Sequence, residues 1–175
     1  GKLSAFGTDG TRVLSLLAEE LGLAEPVLAW HTDRSRIGHL AGTLGTVSGT
    51  LAKIALDVKL HAQTEVGELT VTNTGGSSAM PHKRNPVDAV LVTAATTRVP
   101  GLVSTLFAAM PQEHERAAGA WQAEWEPLTE LLRLVGAAAA GIRRVLADLE
   151  VHTDAMSSNV DTTNGLIMTS SATTP

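Results

Sequence analysis

The amino-acid sequence predicts an all-α fold built from long helices. Apolar residues recur at helical spacing along extended stretches, and no alternating apolar and polar run is long enough for a convincing strand. With 175 residues, 43% of them hydrophobic, the chain can bury the core of one ordinary domain.

The first predicted helix covers Thr11–Leu21. Its apolar residues share one face, Asp9 or the first residue of the range can cap its start, and Gly22 follows its end. Pro26 then interrupts the pattern, and the polar stretch Trp30–Arg36 leads into the next element.

A long helix is predicted from Ile37 to Leu69. Its seam positions alternate between spacings of four and three residues, which is typical of helices that pack side by side. These positions are Ile37, Ala41, Leu44, Ser48, Leu51, Ala55, Val58, Ala62 and Leu69. Such a helix would be about 50 Å long at 1.5 Å per residue, so we expect it to pack in a bundle.

Four glycines, Gly38, Gly42, Gly45 and Gly49, follow the seam one position away from it. Each costs about 1 kcal/mol relative to alanine inside a helix. Close approach of a neighbouring helix would compensate for this cost and is the interpretation we favour. The alternative is that the first half of the stretch is not a continuous helix.

A second long helix is predicted to begin near Val87, with Asn85 as its N-cap and Pro86 as its first residue. Pro100 should kink or interrupt it, because proline has no amide hydrogen. A third long helix is predicted over Leu128–Leu149.

These elements predict three parts. Residues 1–36 are the end of an N-terminal part and a lead-in to the bundle, 37–168 form a central helical-bundle domain with a loop at 75–86, and 169–175 are a frayed Ser/Thr-rich tail. Neither end resembles a natural domain end, so we expect a piece from the middle of a longer protein.

Composition excludes several classes of function. The net charge is −5 and no Lys/Arg cluster exceeds two residues, which argues against a nucleic-acid partner. Cysteine is absent and the six histidines lack paired spacing, so we expect no metal and no cofactor. No apolar run approaches the roughly 20 residues of a membrane span, and no signal pattern starts the chain; both favour a cytoplasmic protein without a membrane partner.

The loop at 75–86 reads GGSSAMPHKRNP and is where we place the chemistry. It would deliver Ser77, Ser78 and Lys83 to the positive end of the following helix, which attracts anions. A simple Gly/Ser turn before a capped helix would explain both ends of the loop, but it would not require Met80-Pro81 or Lys83.

From Gly76 to Pro86 the loop resembles the fumarase/aspartase signature G-S-S-x-M-P-x-K-x-N-P at every fixed position. The flanking stretches His82–Arg84, Trp30–Arg34 and Gln112–Trp121 look most like the 3-carboxy-cis,cis-muconate cycloisomerases of protocatechuate breakdown. One alternative is a C–N lyase that releases fumarate, such as adenylosuccinate lyase. Another is a non-catalytic helical assembly protein, as some lens crystallins are.

The resemblance implies that Ser77 abstracts a proton from the substrate and that Ser78 binds substrate by a hydrogen bond. Removal of that proton builds negative charge on a carboxylate, and Lys83 and Asn85 are placed to stabilise it. His31 and Arg34 correspond to a segment that lines the family's active site, although a solvated turn capped by Asp33 would also explain that segment.

Arg116, with the two tryptophans that follow it, is equally well explained as a pocket residue or as packing. Family membership further implies a dicarboxylate or tricarboxylate substrate and a homo-oligomer, a tetramer whose sites combine three subunits. The family's catalytic histidine belongs to a region that precedes this sequence. We therefore expect these residues alone to be inactive yet to self-associate.

Overall fold

The computed structural model describes residues 3–28, 30–71, 75–76 and 84–162. Within these ranges the fold is all-α, as predicted. The helices are α1 Gly10–Leu21, α2 Ser35–His61, α3 Val87–Ala108, α4 Ala120–Ala123, α5 Trp125–Ala147 and α6 Thr153–Thr162, and a 3-10 segment, Leu3–Asp9, precedes α1. Strand β1 Leu69–Val71 pairs antiparallel with β4 Leu149–Val151, and β2 Gly75–Gly76 pairs antiparallel with β3 Arg84–Asn85.

Helices α2, α3 and α5 form a three-helix bundle with an apolar cluster near each end. One cluster joins late α2 and α5 residues, early α3 residues and Val71 of β1: Ala55, Val58, Val71, Ala89, Val92, Ala138, Ile142 and Val145. The other contains Ala41, Val99, Leu106, Leu131 and Val135. Helix α3 therefore runs antiparallel to α2 and α5. We call the first cluster's end, where β1 and α3 meet, the signature end, and the other the lead-in end.

The predicted seam of α2 is confirmed over most of its length. Ala41, Ser48, Ala55 and Val58 are buried in α2. The predicted continuation to Leu69 was wrong, because α2 ends at His61 and Leu69 begins β1. A turn with Gly67 at φ 63° redirects the chain between them, a conformation that glycine adopts readily.

Of the glycines beside the seam, Gly38 and Gly45 lie nearest to side chains of α3 and of the residues just after it. A Cβ atom at Gly38 would lie 2.9 Å from Sδ of Met110, and one at Gly45 would lie 3.4 Å from Cγ2 of Val103. A Cβ at Gly42 would be no nearer than 3.7 Å to another side chain, and one at Gly49 would meet nothing within 4 Å. The continuous helix rules out the alternative, but only Gly38 requires the absence of a side chain.

Helix α3 begins at Val87, as predicted, but its predicted cap was wrong. Asn85 lies in β3 opposite Gly75, and Pro86 precedes the helix with a non-helical ψ of 79°. The backbone of Asn85 is thus committed to strand pairing, which removes it from the N-cap position.

Two expectations about the later helices were also wrong. The predicted interruption of α3 at Pro100 does not occur, because Val99 and Leu106 anchor the helix in the bundle core on both sides; a kink at Pro100 stays a prediction. Leu149 does not extend the third long helix, since α5 ends at Ala147 and Leu149 pairs with Val71 in the β1–β4 sheet.

Candidate functional site

The signature loop leaves and rejoins the bundle at the signature end. Gly75 is paired with Asn85 and Gly76 with Arg84, so the two ends of the loop at 75–86 are joined by strand pairing just before α3. Ser77, Ser78 and Lys83 lie outside the described residues, and their roles stay predictions. Asn85 is described and half-buried beside the start of α3, where free helix amides favour an anion.

An ion pair fixes the start of α3 beside this strand pair. Arg144 of α5 donates from Nε and Nη2 to the two carboxylate oxygens of Asp88, at 3.1 and 2.9 Å. These hydrogen bonds and the charge of Asp88 raise the pKa of the Arg144 guanidinium above its ordinary value. The pair ties α5 to the first turn of α3.

A buried ion pair organises the opposite, lead-in end. Arg34 donates from Nε and Nη2 to Oε1 and Oε2 of Glu124 at 2.9 and 2.6 Å, and from Nη1 to the carbonyl of His31 at 2.9 Å. The side chains of Arg34 and Glu124 are 10% and 2% exposed. Such a bidentate pair joins the start of α2 to the start of α5 with fixed geometry.

Gln112 completes this cluster. Its Nε2 donates to Oε1 of Glu124 at 3.0 Å and to the carbonyl of Ala109 at 3.1 Å, which adds the end of α3 to the cluster. Sequence reasoning missed Gln112 and Glu124 as partners of Arg34. Glu124 is 90 positions from Arg34, so no local spacing pattern could have revealed the pair.

His31 packs against aromatic rings at the same end. Its ring is 4.7 Å from that of Trp121 at 78°, and Trp121 is 5.3 Å from Trp125 at 89°. These edge-to-face contacts support the packing role of the tryptophans. His31 Nε2 is buried and has no hydrogen-bond partner among the described residues. Because the atom is shielded, substrate could reach it only after the surrounding side chains move.

Arg116 is exposed in the loop between α3 and α4. A hydrogen bond of 2.7 Å from Thr32 Oγ1 to the carbonyl of His114 ties this loop to the lead-in turn. Arg116 therefore shares the lead-in end with His31 and Arg34. Among the described residues, no group of three or more His, Asp or Glu side chains could hold a metal ion.

Among the described residues, Asn85 is not brought together with His31, Arg34 and Arg116 within one chain. Helix α2 separates the lead-in end from the signature end and has 27 residues, which corresponds to about 40 Å at 1.5 Å per residue. Asn85 is therefore remote from His31, Arg34 and Arg116. A site that uses both groups has to combine different chains.

Comparison with known proteins supports the resemblance. The sequence profile of the family described as "Lyase" matches residues 3–101, more than half of the chain. A relative in Pseudomonas aeruginosa, 3-carboxy-cis,cis-muconate cycloisomerase, is 52% identical over 96% of this chain and 37% of its own length. Nitrosuccinate lyase of Streptomyces davaonensis is 46% identical over 90% of this chain and 34% of its own length.

The fold agrees with a solved structure. The crystal structure of the 3-carboxy-cis,cis-muconate lactonizing enzyme of Pseudomonas putida superposes with a TM-score of 0.86 at 48% identity, covering 95% of this chain and 38% of that one. The chain thus spans less than two fifths of the length of these relatives. The complete signature, the profile match and the shared fold lead to one conclusion: this chain belongs to the lyase family of the fumarase/aspartase superfamily.

Proposed function

We propose that this chain is part of a 3-carboxy-cis,cis-muconate cycloisomerase acting in protocatechuate breakdown. The observation that carries the proposal is the 52% identity to the Pseudomonas aeruginosa enzyme of that name over 96% of the chain, signature included. The reaction would be a lactonising addition. A carboxylate oxygen of the substrate forms a bond to the β carbon of a double bond, and a proton is added to the α carbon beside a second carboxylate.

In the reverse direction Ser77 would take the α proton while the lactone C–O bond breaks and its electron pair returns to the leaving carboxylate. The charge that builds on the second carboxylate would be stabilised by Lys83, Asn85 and the amides at the start of α3. Ser78 would hold the substrate by a hydrogen bond. A serine hydroxyl is a poor base, and Lys83 would also have to stabilise its anion.

The proposal includes a cytoplasmic homotetramer whose chains cover one another's bundles. The expectation that no apolar run approaches the length of a membrane span was wrong, because α3 has 22 residues and is apolar enough by composition to cross one. Helix α3 nevertheless packs between α2 and α5, and 22% of its most apolar stretch is buried in one chain. Large apolar side chains are exposed along all three helices: Leu40, Val47, Leu56, Leu60, Val90, Leu91, Phe107, Leu132 and Leu146. Further helices packed on these faces would remove them from water.

A C–N lyase is the second candidate, favoured by the 46% identity to nitrosuccinate lyase. The natural gene product that carries these residues should be assayed on 3-carboxy-cis,cis-muconate, adenylosuccinate and nitrosuccinate. Lactone formation from the first would support the cycloisomerase. Turnover of either succinate derivative alone would favour the lyase, and no turnover of any would favour an assembly protein.

Replacing Ser77 by alanine should lower kcat by about 10²–10⁴ while leaving the fold and substrate binding intact.

Lys83→Ala should lower kcat/KM by a similar factor, because the developing charge on the substrate carboxylate loses its fixed cation. Ser15→Ala, an exposed serine on α1, is the matched control. If Ser77→Ala turned over substrate like the wild type, or Lys83→Ala kept kcat/KM within about twofold, the assigned roles would be wrong.

A further inference from the structure

The backbone just before the signature loop is tied to two other elements. Strand β1 pairs with β4, residues Leu149–Val151. One residue earlier, the amide of Glu68 donates to the carbonyl of His61 at the end of α2, at 3.0 Å, and the carbonyl of Glu68 accepts from the amide of His152, at 2.9 Å. Glu68 is thus the point where α2, β1 and the segment after β4 meet.

The carboxylate of Glu68 adds a third element, α6. Its Oε1 accepts a hydrogen bond from Nδ2 of Asn159 at 2.9 Å, and its Oε2 lies 2.6 Å from Nδ1 of His61. The same Asn159 nitrogen donates to the carbonyl of Val66 at 2.9 Å. The Glu68 side chain is only 14% exposed. The hydrogen bond from Asn159, followed by that with His61, lowers the pKa of Glu68, so Glu68 is a carboxylate at neutral pH. We call Glu68 and its partners His61, His152 and Asn159 the clamp.

The clamp continues along β1 towards the loop. Thr70 Oγ1 lies 2.7 Å from Nε2 of His152, and Val71 is 3% exposed in the same apolar cluster as Ala89, in the first turn of α3. The strand that enters the loop and the helix that follows it are therefore anchored in one cluster. A shift of β1 would change the spacing between the two ends of the loop.

The bundle itself does not require a carboxylate at this position, because α2, α3 and α5 pack through apolar side chains. We propose that Glu68 is a positioning residue: it holds β1 so that the signature loop leaves the bundle at a fixed point relative to α3. The effect on catalysis rests on the proposed function, since it acts through Ser77 and Lys83.

The test compares Glu68→Ala with Glu68→Gln in the natural gene product. The alanine variant loses both side-chain contacts and should lower kcat about tenfold or more, with KM changed less than about threefold. The glutamine variant should recover most of the loss, because its amide oxygen still accepts from Asn159 and its amide nitrogen can donate to His61. Lys53→Ala, which breaks the exposed Lys53–Asp57 pair on α2, is the control and should leave kcat unchanged.

Hydrogen exchange provides a readout that does not depend on activity. In Glu68→Ala the amide of β2, Gly75 or Gly76, that is hydrogen-bonded to β3 should exchange about tenfold faster, while the amides in the middle of α3 keep their rates. If the alanine variant does not fold, Asn159→Ala should shift kcat and exchange in the same directions by smaller factors. A folded variant with kcat within about twofold of wild type, or with unchanged exchange at Gly75 and Gly76, overturns the proposal. If the wild type lactonises nothing, the proposed function fails, and the exchange rates alone decide whether Glu68 positions the loop.

Discussion

At the scale of single residues, Arg34 shows how a predicted binding residue can be committed elsewhere. Three of its five N–H groups donate to Glu124 and to the carbonyl of His31. Any substrate contact by Arg34 has to use the two remaining N–H groups, so its predicted role in substrate binding stays a prediction. The described geometry supports a role in positioning His31.

Breaking the Arg34–Glu124 ion pair should destabilise the fold. Glu124→Ala leaves the Arg34 charge buried without its partner and should lower the free energy of unfolding by about 3–5 kcal/mol. Replacing both residues by apolar ones, Arg34→Met with Glu124→Leu, should cost much less because no unpaired charge remains. Urea unfolding of both variants measures the difference. Equal losses in the two variants would show that packing, rather than charge, determines the contribution of the pair.

At the scale of elements, the sequence indicates the helices well and their ends poorly. The seam of α2 is a local pattern, and it predicts the buried face up to Val58. The errors at Leu69 and Leu149 share one cause: β1 and β4 pair with each other at the signature end of the bundle, and neither strand has a pattern of its own long enough to be recognised. The signature is likewise local and was found, whereas Glu124 and Gln112 become partners of Arg34 only through folding.

Two glycines of α5 make a matched test of helix packing. A Cβ at Gly141 would lie 2.8 Å from Cγ2 of Val92 on α3, whereas one at Gly136 would meet nothing within 4 Å. Gly136→Ala should raise stability by up to about 1 kcal/mol through helix propensity. Gly141→Ala should lower it by about 1–3 kcal/mol, since β-branched Val92 cannot easily move away. Urea midpoints of the two variants should therefore move in opposite directions, and a shift in the same direction would contradict the close packing of α3 on α5.

At the scale of the whole molecule, the predicted site residues that the structure describes fall at two ends of one bundle. Asn85 and the flanks of the signature loop are at one end, and His31, Arg34 and Arg116 are at the other. The 27 residues of α2 lie between the two ends, a separation of about 40 Å that no side chain can bridge. An assembly in which chains pack in opposite directions would bring unlike ends together and would cover the exposed apolar faces.

The most direct test is complementation between two variants of the natural gene product. One carries Ser77→Ala at the signature end, and the other carries His31→Ala with Arg116→Ala at the lead-in end. Each should be inactive alone. The two variants are unfolded together in equal amounts and refolded. About a quarter of the sites should then combine an intact signature end from one chain with an intact lead-in end from another. Lactonisation should return to about that fraction of the wild-type rate. A refolded mixture no more active than the sum of the separate variants would contradict a site shared between chains.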